Sequence, residues 1–171
     1  MLIGKQTEAM NLYGQSVVFP NVTDEEIRLF VDQMSSNQGD NSKLSVLIEK
    51  LKEGKQNSCF LLMLLAQTSY DMQLYDNSLS YCKLAELIDP TYINLYNQMA
   101  KTYESLGQFE DAISCYENAI NANEQDTGLW TDMGFCFQRM GEISKAKDCF
   151  QKALAIDENY VPAIDAISRL G

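Results

Sequence analysis

The sequence predicts an all-α protein: a right-handed superhelical stack of antiparallel helical hairpins. Two observations predict it. "GQFEDAISCYENAI" (Gly107–Ile120) is answered 34 residues later by "GEISKAKDCFQKAL" (Gly141–Leu154), with Gly, Ala, Cys and Ala in register and Tyr116 matched by Phe150. The apolar residues on either side of these glycines also recur at helical spacing rather than strand spacing. A single hairpin cannot bury its own apolar stripes, so repeated hairpins must lean on one another.

The first segment, residues 1–22, is an N-terminal arm with two open readings. Met10, Tyr13 and Val17 can share a helical face, whereas "SVVFP" suits an extended arm. Such an arm either supports self-association, giving a homodimer through the N-terminal region, or is disordered. Residues 23–58 form a helical pair or a degenerate repeat. Thr23 and Glu26 make a capping box, and Val22 with Ile27 a hydrophobic staple. Ile27, Phe30, Val31 and Met34 then share one face, a polar turn runs through Asp40, and a second helix carries Leu44, Leu47, Ile48 and Leu51 to an end near Gly54. Leu44 and Leu51 are bulky where the later repeats are small, which predicts a different packing angle.

Three repeat units follow, 59–92, 93–126 and 127–160. A shift of 34 aligns Leu62, Tyr96 and Trp130; Leu65, Met99 and Met133; and Ala66, Ala100 and Gly134. It also aligns Ser69, Tyr103 and Phe137; Ser78, Ala112 and Ala146; Cys82, Tyr116 and Phe150; and Ala85, Ala119 and Ala153. In the first helix of the third unit, Trp130, Met133, Gly134 and Phe137 are spaced i, i+3, i+4, i+7, one face of a helix. Gly141 and Gly107 break the chain between helices. Small residues in each second helix allow close approach, and Tyr116 and Phe150 fill the space between. In unit one, Gln73 replaces the turn glycine and Ser78 the small Ala, which predicts looser packing of its second helix. Residues 161–171 supply one more helix as a cap, with Pro162 in its first turn. Ile164, Ile167 and Leu170 are expected to face the last hairpin, and Asp165, Ser168 and Arg169 the solvent.

This spacing, the period and Pro90 closing the first unit resemble the tetratricopeptide repeat (TPR) family over roughly residues 59–160. The resemblance implies a solenoid of hairpins and a role in protein recognition.

Composition narrows the function classes. The net charge is −11, with −8 falling on residues 59–126 alone. A surface this acidic repels phosphate backbones, which disfavours nucleic acid; it suits a basic partner or simply solubility. "CFLLMLLA" (Cys59–Ala66) is the most apolar stretch and is too short to cross a membrane. The N-terminus carries no secretory pattern, so a cytoplasmic location is expected. Five cysteines without a C-x-x-C pair, and no histidine, argue against a disulfide framework and a zinc site. There is no Gly-rich phosphate loop and no His–carboxylate pair, so no enzyme, cofactor or metal is expected. Lys145, Lys147 and Lys152 read as a solvated helix face.

A stacked array of hairpins curls, and the first helices line its concave side. Beside their packing faces, spacing selects a second face as a peptide-binding groove. In unit one it carries Phe60, Met63, Gln67, Tyr70 and Asp71; in unit two Asn94, Asn97, Lys101, Glu104 and Ser105; in unit three Gly128, Thr131, Phe135, Gln138 and Arg139. Aromatic and apolar anchors at one end and amides in the middle suit an extended peptide. Phe60 and Met63 have a second reading, as packing residues against the N-terminal pair.

Many TPR proteins hold acidic C-terminal tails of heat-shock chaperones on Lys, Asn and Arg. Here Met63, Gln67, Gly128 and Asp132 stand at those places, which predicts no such capture. Gly134, Cys136, Arg139, Ala146, Cys149 and Phe150 make the third unit similar to the third repeat of bacterial type III secretion chaperones for translocator subunits. That resemblance implies a groove holding an extended segment of a client protein. The alternative, from another class, is a structural or adaptor subunit docked into a larger assembly.

Overall fold

The computed structural model describes residues 53–170. The arm expected at 1–22, and the helical pair expected at 23–58 apart from its last six residues, lie outside the described residues. Seven helices and no strand occur among the described residues: α1 Lys55–Asp71, α2 Tyr75–Ile88, α3 Leu95–Ser105, α4 Phe109–Ala122, α5 Thr127–Arg139, α6 Ile143–Ile156 and α7 Val161–Leu170. The chain divides into two units, Met1–Leu95 and Tyr96–Gly171.

The 34-residue period reappears in the backbone. After each first helix one N–H reaches back five residues: Leu74 to the Ser69 carbonyl (2.8 Å), Gln108 to Tyr103 (2.9 Å) and Glu142 to Phe137 (2.9 Å). This is the six-to-one bond of a helix ending in a left-handed residue. That residue is Gly107 (φ +74°), Gly141 (φ +80°) and, in the first unit, Gln73 (φ +60°). A Cβ on Gly107 or Gly141 would meet nothing within 4 Å, so these turns require glycine for its backbone alone. Each second helix ends with the next residue extended, Asp89, Asn123 and Asp157, whose N–H still bonds the carbonyl of the repeat's last small residue, Ala85, Ala119 or Ala153.

In the first unit α1 packs on α2. Leu62, Ala66, Ser78, Cys82, Leu84 and Ala85 are fully buried, and the Cys59 thiol lies 3.8 Å from the Ala85 carbonyl. The looser second helix expected from Ser78 is therefore not found: Ser78 is buried as completely as Ala112 and Ala146. Tyr81, one residue ahead of the expected aromatic position, supplies the bulk and is 1% exposed. Burial pushes its hydroxyl up to about 12. The helix also begins at Lys55, ahead of the 59–92 unit.

In the second unit α4 packs on α5, α5 on α6, and α6 on α7. Ala146, Phe150, Ala153, Ala163 and Ala166 form a core, with Trp130, Phe135, Phe137, Leu154 and Tyr160 packed against it. Phe150 is accommodated because residue 134 has no side chain: a Cβ there would stand 2.5 Å from the Phe150 ring. The α7 face differs from expectation. Ala163 and Ala166 make its buried contact, with Ile167 and Leu170 beside them, while Ile164 is 43% exposed. Small residues let the α7 backbone come close, and that rotates Ile164 away from the core.

Candidate functional site

The best-developed polar site lies on α3 and α5, within the second unit. Helical spacing places Asn97, Lys101 and Glu104 along one side of α3. Glu104 organises the site. One carboxylate oxygen accepts from the Tyr116 hydroxyl of α4 at 3.2 Å, and the other lies 3.5 Å from the Arg139 guanidinium of α5. Arg139 also stacks over the Phe109 ring, 5.7 Å from its centre. One carboxylate thus ties three helices together. Burial first, then the nearby Asp132 and Glu104 carboxylates, keep that phenol firmly protonated.

Asp132, half-buried on α5, completes the cluster. Desolvation pushes its carboxyl up to about 6; Lys101 pulls the other way, while Glu104 and Asp126 add to the rise. Asp126 is held at the start of α5, where its side chain caps the Gly128 and Leu129 amides at 2.9 and 3.3 Å. The Cys136 thiol is pushed up to about 12, first by burial and then by Glu104, so it is a packing group and not a nucleophile. All five cysteines are buried and none is in a disulfide, and no cluster of metal-ligating side chains occurs among the described residues.

The residues expected from spacing fall into distinct environments. Asn97 is half-buried, and its carbonyl oxygen is buried without a hydrogen-bond partner. Lys101, Glu104 and Gln138 are half-buried and Arg139 is exposed. Asn94 precedes α3 instead of lying on it; it is an exposed turn residue at φ +62°. Thr131 is 1% exposed and its hydroxyl donates to the Thr127 carbonyl at 2.8 Å. Phe135 sits edge-on to Phe150 with ring centres 5.2 Å apart, as part of the core's margin. On α1, in the first unit, Phe60 is 53% exposed and Met63 half-buried. Gln67 donates to Asp71 at 2.9 Å, and Tyr70 packs edge-on to Tyr75 at 5.5 Å. The structure thus pairs Glu104 with Arg139, with Lys101 half-buried on the same helix as Glu104, and leaves Thr131 and Phe135 in packing positions.

Spacing missed Tyr116, Asp132 and Phe109 as members of this cluster. Tyr116 reads as a core residue from its repeat position, and it is one: only its hydroxyl reaches the site. Asp132 carried a signal, a carboxylate on the α5 side that adjoins α3.

The comparisons with known proteins agree with this architecture. Residues 96–170 match the model of the Cilia and flagella-associated protein 70 middle TPR-like domain. Among curated proteins, the chain is 29% identical over 80 residues to the TPR repeat-containing protein YpiA of Bacillus subtilis, covering 47% of this chain and 19% of that one. It is 29% identical over 103 residues to the uncharacterized protein ycf37 of Guillardia theta, covering 57% and 58%. The chain therefore spans less than two thirds of these relatives. Among solved structures, the crystal structure of MamA superposes with a TM-score of 0.63 at 18% identity, covering 77% of this chain and 81% of that one. The second TPR domain of human RPAP3, in complex with the HSP70 peptide SGPTIEEVD, gives 0.64 at 15% identity, covering 68% and 97%. At these identities the structures speak for the fold alone. Period, turn geometry and hairpin packing agree with the family match: over residues 96–170 the chain is similar to a TPR-like domain, and its fold is a stack of helical hairpins.

Proposed function

We propose that this protein is a non-catalytic recognition module that holds an extended segment of a protein partner along the α3–α5 strip. The observation that carries the reading is Asn97. Its buried carbonyl oxygen lacks a donor, one helical turn from Lys101. Buried acceptors in folded proteins are nearly always paired. A turn of the half-buried Asn97 side chain would bring that oxygen to a backbone N–H of an extended segment, and an amide side chain can pair with backbone regardless of partner sequence. Lys101, Glu104, Gln138 and Arg139 then offer polar contacts of both signs. The RPAP3 domain with its bound HSP70 peptide supports the reading, as a case of this fold with room for such a segment. On α1, Phe60, Met63, Gln67 and Tyr70 provide a second strip of apolar and amide contacts in their own unit. The likeness of residues 127–160 to translocator chaperones gives the reading a finer form, with a secretion subunit as the client.

Photo-crosslinking side chains in place of Lys101 and Gln138, compared with the same groups at Asn118 and Gln151 on the second helices, test the reading. All four positions leave the Glu104–Tyr116 contact in place. Partner capture from 101 and 138, abolished by Asn97→Ala at unchanged helicity, is the expected result. Capture from 118 and 151 alone would replace it with the alternative of an adaptor subunit docked through the outer face.

A further inference from the structure

The 34-residue shift makes α7 a further first helix: Ile164, Ile167 and Ser168 fall at the places of Trp130, Met133 and Gly134. At the place of Ile167, the earlier first helices hold Leu65, Met99 and Met133, which are 7%, 4% and 5% exposed. At the place of Ser168, Ala66 and Ala100 are fully buried and Gly134 lies under the Phe150 ring. On α7, Ile167 is only half-buried, Ser168 is exposed and Ile164 is 43% exposed. Each earlier first helix is followed by a second helix, and α7 is followed by none among the described residues. The face is nevertheless made for burial. Ile164 and Ile167 are apolar where a solvating end would be polar. The Ser168 hydroxyl already donates to the Asp165 carbonyl at 2.8 Å, so covering it leaves no donor unpaired.

We propose that this face of α7, with the adjoining edge of α6, receives an amphipathic helix of another protein that carries an acidic edge. A large apolar side chain seats over Ser168 between small residues, as Tyr116 stands between Ala112 and Ala119 in α4. Charge selects the edge. Of the three α6 lysines, Lys145 and Lys152 lie over the Phe137 and Trp130 rings of α5, 5.2 and 4.2 Å from their centres. Helical spacing puts Lys147 on the other flank, with Leu154, which packs against the core that α6 shares with α7. A second helix stacked on α7 would run beside α6 in the same way as its predecessors, and a carboxylate on it would answer Lys147. This chain does not supply such a helix among the described residues, since the small and aromatic positions of α4 and α6 are already buried. The second helix expected near 44–54 has bulky Leu44 and Leu51 at the small positions, and its stretch carries Lys43, Lys50 and Lys52 against Glu49 and Glu53.

Two lactam-stapled peptides copied from this chain test the proposal, because they share the small–aromatic–small spacing and differ in charge. The α4 peptide, Phe109–Ala122, carries Glu110, Asp111 and Glu117 and no cation; the α6 peptide, Ile143–Ile156, carries three lysines against Asp148. In fluorescence anisotropy with the full chain, the α4 peptide should bind at least about tenfold more tightly than the α6 peptide. Ser168→Phe, which fills the seat, and Ile164→Asp should each weaken that binding about tenfold or more at unchanged helicity. Lys147→Glu should narrow the preference between the peptides. Absence of binding by the α4 peptide, equal binding of both, or binding that Ser168→Phe leaves intact would overturn the proposal. So would a full chain that dimerises in light scattering and becomes monomeric with Ile164→Asp, because a second copy would then cover the face. None of these variants touches α3 or α5, so crosslinking from positions 101 and 138 decides the recognition strip separately.

Discussion

The first hairpin, α1 and α2, and the last complete one, α5 and α6, occupy equivalent places in the repeat and reach the same packing by different chemistry. In the last hairpin Phe150 fills the interior and Gly134 makes room for it. In the first, the same two positions hold Cys82 and Ala66, both fully buried, and the aromatic bulk comes from Tyr81 instead. "YC" has become "CF" across two repeats. A step of one residue turns a helical side chain by about 100°, so Tyr81 and Phe150 leave their helices in different directions. The turns differ as well. Gly141 adopts its left-handed conformation freely, whereas Gln73 holds nearly the same angle with a side chain attached. Buried hydroxyls are mostly handled alike, and Thr131 of the last hairpin donates to the Thr127 carbonyl one turn back at 2.8 Å. Thr68, Ser69 and Ser80 donate to carbonyls one turn back at 2.7–2.8 Å, yet the Ser58 hydroxyl is buried without a partner. What the repeat preserves is a backbone hydrogen-bond pattern and a buried aromatic on the second helix. The residues that supply them can change.

The contrast can be broken most strongly at Phe150. Replacing it with Ala should cost about 3–5 kcal/mol, the range for truncating a buried aromatic, read as a drop in the urea midpoint; Cys82→Ala in the first hairpin should cost far less. Gly134→Ala comes next. A Cβ 2.5–3.0 Å from three atoms of the Phe150 ring must displace that ring, at a cost of about 1–3 kcal/mol for overpacking. Phe150→Leu in the same chain should recover part of that loss. If Gly134→Ala melts like wild type, the volume pairing of positions 134 and 150 is wrong.

The turns sharpen the comparison with opposite signs. Gln73→Gly should stabilise by about 1 kcal/mol, because it releases a left-handed side chain. Gly141→Ala should destabilise by a similar amount through the backbone alone, since no atom lies within 4 Å of the new Cβ. Equal signs in chemical denaturation would refute the shared turn geometry. The smallest effect is expected at Ser58. Ser58→Ala removes an unpaired buried hydroxyl, so a gain of up to about 1 kcal/mol is expected in place of the usual loss; a clear destabilisation would reveal a hydrogen bond to that group.

The helices and their pairing were legible from the period because stacking forces the same side-chain sizes into the same register. Gly107 and Gly141 marked left-handed turns by residue type, whereas at Gln73 the period placed the turn and only the structure gave its left-handed φ. Spacing put Lys101, Glu104 and Arg139 on one expected surface and could not tell that Thr131 is buried or that Asn94 precedes its helix. A helical wheel fixes direction about one axis, and exposure depends on which neighbour covers that direction.

The amino-acid order by itself determined the 34-residue repeat, the all-α class and the positions of the turns, because helical periodicity is a local property repeated along the chain. Tertiary structure decided what those helices do to individual groups. It brought Tyr116 and Arg139 to one carboxylate, desolvated Asp132 enough to raise its proton affinity, and turned Ile164 outward as Ala163 and Ala166 drew α7 close. Those outcomes depend on distances between helices far apart in sequence, and electrostatics and burial are functions of such distances alone.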